Sequence, residues 1–330
     1  MNFSTLLGNE PIKQQFSDML SANRMPHALI LEGAQGSGKG TLAQLLARAM
    51  VCRAEDGEKP CGLCLPCQKV EGGFHPDVVE ISGGNTAKSF HIDEVRWVRS
   101  DAHIRPNEAD RKVYILKKVH NMSDGAQNAL LKILEEPPPY VFFILTCESG
   151  ATLLPTILSR APIFAMGAVA EEDAAAFLKA RFPEETEEAL RRAAALSDGN
   201  VGRMIEGVSG DAFREAADLS DSVARAVTAQ KELDLLVLTA PLQKDKEQMR
   251  AVLSMLLLIF RDGCMCRDSF EEKLSGAAET TDILRSRLTQ GQLLDMIEVV
   301  ERTQSALRSG ANQALLCTWF PAMLRRAAGL

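Results

Sequence analysis

The run Gly33-Ala34-Gln35-Gly36-Ser37-Gly38-Lys39-Gly40-Thr41 lies between two apolar stretches of different period, and that placement constrains the fold more than any other part of the chain. The segment before it, 27–31 (HALIL), is short and continuously apolar, as a buried strand is. The segment after it, 41–51, repeats Leu42, Leu45, Leu46 and Ala49 on one helical face. A strand, a glycine-rich turn and a helix in that order form a phosphate loop. The glycines let backbone N–H groups converge on phosphate oxygens, the helix N-terminus adds a positive field, and Lys39 reaches the outer phosphates. Gly33, Gly36, Gly38, Lys39 and Thr41 are therefore the candidate nucleotide-binding residues. The motif also calls for a hydroxyl directly after the lysine to hold Mg²⁺. Gly40 occupies that position, and Thr41 is rotated from it by ~100° around the helix.

Apolar runs at 78–81, 113–116, 141–145 and 162–166 alternate with helical patterns at 92–102 and 124–134, and a further amphipathic helix carries Ile12, Phe16, Met19 and Leu20. Such alternation predicts a parallel sheet covered on both faces. In phosphate-loop hydrolases a strand like 113–116 delivers an acidic residue that holds Mg²⁺. Here it runs into Lys117-Lys118. Without the hydroxyl and the carboxylates, ATP or ADP can bind but hydrolysis by this chain is not expected. Beyond residue 166 strand patterns cease. Short helices are expected to 208, a hinge at Gly207-Val208-Ser209-Gly210, and helices at 212–229, 231–239, 244–262, 290–308 and 312–328. The expected domains are thus 1–166, 167–208 and 209–330.

Cys61, Cys64 and Cys67 repeat at strict spacing, and Cys52 brings the set to four thiols within sixteen residues. Zn²⁺ favours four sulfurs in a tetrahedron, and four thiolates leave no open position, so a structural zinc module over 52–75 is expected. His75 is the weaker alternative ligand. Thirty-seven basic against 44 acidic residues give a net charge of −7 in 330 residues, with 5% aromatics. That balance opposes a broad phosphate-neutralising surface or a base-stacking platform belonging to this chain alone. The most apolar stretch, 251–260, is bounded by Arg250 and Arg261 and is about half of the ~20 residues a membrane span needs. The first residues lack the basic start of a secretory signal. The cytoplasm is the expected location.

Gln127-Asn128-Ala129-Leu130-Leu131-Lys132-Ile133-Leu134-Glu135-Glu136-Pro137 resembles the "LEEP" stretch of the bacterial DNA polymerase III clamp-loader family, and Leu154-Pro155-Thr156-Ile157-Leu158-Ser159-Arg160 its "SRC" segment, with Ala161 for the cysteine. The cysteine cluster stands at the family's position, and the resemblance runs from about residue 8 to 210. It implies an α/β plus all-α architecture: an AAA+ P-loop parallel-sheet domain with a zinc-binding insertion, a small helical lid domain and a C-terminal helical collar bundle. It further implies a pentameric ring with gamma/tau and delta subunits that loads a sliding clamp onto primed DNA. Ser159 and Arg160 would be a trans-acting catalytic pair completing a neighbour's ATP site, and Arg203 would fall where the lid places a nucleotide-sensing arginine. An ion pair with a local carboxylate such as Glu148 is the alternative for Arg160, and a salt bridge for Arg203. The loss of metal-binding groups beside an intact Ser-Arg points to the family's non-hydrolysing branch. Two rival functions remain: an active gamma/tau-like ATPase, opposed by Gly40 and Lys117-Lys118, and a zinc-dependent DNA-binding regulator, opposed by the acidic balance.

Overall fold

In the computed structural model, which describes all residues except 56, 85–89, 198, 210, 230–231, 266–274 and 276, the chain divides into two compact units. The first comprises Met1–Asp173 with Asn200–Gly202, and the second Ala174–Gly199 with Arg203–Leu330.

The first unit is built on a sheet of five strands: β1 (Ala28–Glu32), β2 (Val78–Ser82), β3 (Lys112–Lys117), β4 (Val141–Cys147) and β5 (Ile163–Ala165). All are parallel, in the order β2-β3-β4-β1-β5. Parallel neighbours need crossovers, and the helices that supply them cover both faces. Here these are α2 (Lys39–Val51), α3 (Leu65–Glu71), α4 (Ile92–Ala102), α5 (Asp124–Glu135) and the single turn α6 (Pro155–Leu158), while α1 (Glu10–Ser21) precedes β1.

Side chains alternate along each strand, so one chain segment feeds two cores. Leu29, Leu31, Val113, Ile115 and Ile144 face one way and pack with Phe16 of α1 and Leu42, Leu45 and Leu46 of α2. Ala28, Ile30, Tyr114, Leu116, Phe143 and Leu145 face the other way, against Val95 and Val98 of α4 and Leu130, Ile133 and Leu134 of α5. Burial on both faces explains why the central strands β1, β3 and β4 read as apolar runs. The carboxyl ends of β1, β3 and β4 therefore emerge side by side, and the loops leaving them carry the site.

The second unit is helical among its described residues. It holds most of α7 (Glu171–Arg181), α8 (Glu187–Leu196), most of α9 (Val201–Ser209), α10 (Asp211–Val227), α11 (Glu232–Thr239), α12 (Lys246–Cys264), α13 (Ala278–Arg287), α14 (Gln290–Arg308) and α15 (Gln313–Ala327). Its core joins Val223 and Val227 of α10, Leu253, Leu256 and Phe260 of α12, Met296 and Val300 of α14, and Phe320 and Leu324 of α15. The expected hinge at 207–210 is helical through Ser209, while Gly210 lies outside the described residues.

Candidate functional site

The phosphate loop leaves β1 and enters α2 as its glycines require. Gly36 (φ +83°) and Gly38 (φ +90°) occupy the left-handed region that a side chain would strain, and Gly38 caps the helix in that conformation. The Lys39 ammonium donates to the carbonyls of Gly33 and Ala34, both at 2.6 Å, and approaches Ser37 Oγ at 3.4 Å. Partial burial holds its pKa below the ordinary lysine value, opposed by the charges of Glu148 and Cys147. A side chain built at Gly40 would meet nothing within 4 Å, so packing does not enforce the missing hydroxyl. Thr41 is exposed.

The metal-holding end of β3 is occupied by cations. Lys117 pairs with Glu80 on the adjacent strand β2, whose carboxylate also accepts from Gln44 of α2. Lys118 adopts the left-handed region (φ +59°), and its backbone N–H donates to Thr146 Oγ1 at 3.2 Å. The Thr146 hydroxyl is thus a buried backbone partner at the end of β4. Glu148 follows, its N–H donating to His120 Nδ1 at 3.3 Å, and burial lowers the pKa of that imidazole.

The mouth of the loop meets residues distant in sequence. Asn200 Nδ2 donates to the Gln35 carbonyl at 2.7 Å, and the Gly202 N–H donates to the Gly36 carbonyl at 2.9 Å. A Cβ at Gly202 would fall 2.7 Å from Gly36 Cα, so the approach is backbone against backbone. Asn200 and Gly202 thus meet the loop, contacts the loop motif did not reveal. Arg203, one residue on, belongs to the second unit.

Ser159 and Arg160 close the single turn α6. Arg160 Nη2 pairs with Glu135 Oε1 at 2.8 Å, and Nη1 donates to the Thr156 carbonyl at 2.8 Å and to Ser159 Oγ at 3.2 Å. The Ser159 hydroxyl in turn donates to the same Thr156 carbonyl at 3.0 Å. The local carboxylate is therefore Glu135, the last residue of α5, rather than Glu148, which lies beside His120.

The four cysteines converge between the end of α2 and the first turn of α3. Their sulfurs all lie within 4.8 Å of one another, and Cys52 and Cys64 are 3.9 Å apart. Tetrahedral Zn–S bonds of ~2.3 Å place sulfurs ~3.8 Å apart, so the set fits that ion. Backbone N–H groups already aim at sulfur: Cys61 N lies 3.5 Å from Cys52 Sγ, and Cys64 N lies 3.4 Å from Cys61 Sγ. The backbone donors of Cys64 and Leu63 pull the Cys61 thiol down to about 6, whereas burial pushes Cys67 up to about 12. His75 is not part of this group. It is buried, and its Nδ1 accepts from Asp77 N at 3.1 Å. Lys69 to Glu108 (2.6 Å), with Arg53 donating to the Glu108 carbonyl, ties the module to the loop before β3.

A phosphate loop whose metal-binding end holds two lysines, a Ser-Arg turn and a four-cysteine module thus coexist in one sheet domain. Residues 8–170 match the family described as "DNA polymerase III, delta subunit". This segment belongs to the DNA polymerase III clamp-loader family. A subunit gamma of Buchnera aphidicola (subspecies Acyrthosiphon pisum) is 36% identical over 177 residues, 54% of this chain and 48% of the relative. A subunit delta' of Haemophilus influenzae is 33% identical over 195 residues, 59% of this chain and 58% of that one. The delta' of Escherichia coli is 28% identical over 307 residues, 90% and 88% of the two chains. The chain spans about half the length of the gamma relative. The relatives so matched include both gamma and delta' subunits.

Proposed function

We propose that this chain is a delta-prime-type subunit of a DNA polymerase III clamp loader, which does not hydrolyse ATP but supplies Arg160 in trans to an ATP-hydrolysing neighbour. It would sit in a ring with gamma/tau and delta subunits and help load a sliding clamp onto primed DNA, residues 1–166, 167–208 and 209–330 serving as AAA+, lid and collar parts. The observation that carries this reading is the end of β3, where Lys117 and Lys118 stand and Lys117 is committed to Glu80. Two cations neither bind Mg²⁺ nor accept a proton from water at neutral pH, and Gly40 offers no hydroxyl to the metal. ATP or ADP held at Gly33, Gly36, Gly38, Lys39 and Thr41 would remain intact, and Arg203 would act, if at all, on bound nucleotide. Zn²⁺ on Cys52, Cys61, Cys64 and Cys67 would be structural, because four thiolates close its coordination.

Phosphoryl transfer spreads charge over equatorial oxygens, and a guanidinium supplied from a partner is worth ~10³–10⁵ in rate where this has been separated in GTPases. The test is ATPase of the reconstituted complex with Arg160→Ala. The expected result is normal assembly with DNA-stimulated turnover reduced at least ~10-fold. Lys at 160 should rescue poorly because it lacks the planar fork. Assembly with turnover at the unmodified rate refutes the trans role. The 36% identity to a gamma subunit over about half of each chain favours one competing reading, an active ATPase. Turnover by the isolated chain that Lys39→Ala abolishes would establish it.

A further inference from the structure

Glu135 is the last residue of α5, where a carboxylate faces the negative end of the helix dipole and is electrostatically misplaced. Its Oε1 lies 2.8 Å from Arg160 Nη2. We propose that Glu135 is a positioning residue for Arg160, holding the guanidinium in the orientation from which it reaches a partner's nucleotide. The proposal rests on the trans role of Arg160 argued above and adds the residue that aims it.

The geometry is a three-point tether. Nη1 donates to the Thr156 carbonyl and Ser159 Oγ, and Nη2 is held 2.8 Å from Glu135 Oε1 as an ion pair. None of these three contacts engages Nε, and a guanidinium grips a phosphoryl group through paired N–H donors. The Arg160 side chain is 33% exposed and that of Glu135 48%, so the pair is solvent-accessible and its stability contribution small. Its effect is orientational. An arginine side chain otherwise samples many rotamers, and ordering it beforehand removes that entropy cost from the transition state. Ser159, which bridges Nη1 to the Thr156 carbonyl, acts in the same tether.

The experiment reconstitutes the full chain with its ATP-hydrolysing partner subunits and measures kcat and KM for ATP. Glu135→Ala, Glu135→Gln, Arg160→Ala and the double variant Glu135→Ala/Arg160→Ala are compared after melting and size-exclusion runs show folded, assembled protein. Glu135→Ala should lower kcat about tenfold with KM unchanged, within the ~10²-fold cost of a 1 Å misplacement. Glu135→Gln keeps an acceptor oxygen and should recover most of the rate. The double variant should be no slower than Arg160→Ala, since the carboxylate has nothing left to aim. A slow Arg160→Ala complex beside Glu135→Ala at full rate refutes the positioning role alone, as does a Glu135→Ala defect that persists undiminished in the Arg160→Ala background. An unchanged rate in Arg160→Ala refutes the trans role and the positioning proposal with it.

Discussion

Changing Asp77 to Asn tests whether the loop before β3, which buckles the cysteine module to the sheet, hangs on one buried carboxylate. Asp77 has no exposed surface. Its Oδ1 accepts from Asn107 N at 2.6 Å, and its Oδ2 from Glu108 N at 2.7 Å and Ala109 N at 2.8 Å. Asparagine keeps one acceptor oxygen and turns an NH₂ toward the remaining donors, so one or two charge-assisted bonds become donor–donor contacts. At ~1.5–3 kcal/mol for each bond to a charged group, losing two costs ~3–6 kcal/mol, a large share of the ~5–15 kcal/mol that holds a typical domain. Burial alone would raise this carboxyl's pKa, but the N–H donors of Asn107, Ala109 and Glu108 bring it below the ordinary 3.8. A depressed pKa stabilises the fold above the unfolded value, and that contribution is lost as pH falls through the folded one. The assay is urea unfolding followed through Trp97 in α4, with Trp319 replaced by Phe. The variant should unfold at clearly lower urea at pH 7, and the gap should narrow as pH drops below about 4. An unchanged midpoint at pH 7, or a gap constant with pH, refutes the reasoning.

Elemental analysis of purified protein should give about one zinc per chain, as a closed four-thiolate site requires. Cys64→Ser should lose it and raise hydrogen exchange across 52–75, while β1, β3 and β4, whose side chains fill two sheet cores, stay protected. Gly40→Thr should fold normally, since open space surrounds that position, and still show no phosphate release, because Lys117 and Lys118 remain. Adding Lys117→Asp and Lys118→Glu to it is the combination expected to bind Mg²⁺ with nucleotide, readable by calorimetry. Gly202→Ala should disturb the phosphate loop, because its Cβ would fall 2.7 Å from Gly36 Cα. Loss of protection at the Gly202 amide measures that.

The elements of the first unit are readable because the central strands β1, β3 and β4 are buried on both faces and the helices on one, which writes two distinct apolar periods into the chain. Strand 141–145 was placed correctly but ends at Cys147, since the last two residues pair with β1 beyond the apolar run. The helix 290–308 matches α14 in both bounds. Helix α13 (Ala278–Arg287) writes no apolar period into the sequence, because its buried positions are Thr280, Thr281 and Leu284. The phosphate loop, the cysteine spacing and the Ser-Arg turn were legible because each is local, its chemistry set by residues within a few positions of one another.

Sequence alone therefore determined the class of the sheet domain, the absence of a hydroxyl at 40 and of carboxylates at 117–118, and the four thiols available to a metal. Only the tertiary structure decided who meets whom across long separations. Glu135 rather than Glu148 faces Arg160, Gly202 meets Gly36, and Asp77 gathers the loop at 107–109. These pairings depend on which strand ends the parallel sheet sets side by side. Strand order follows from how all the crossover helices pack, a property of the whole domain that no local spacing records.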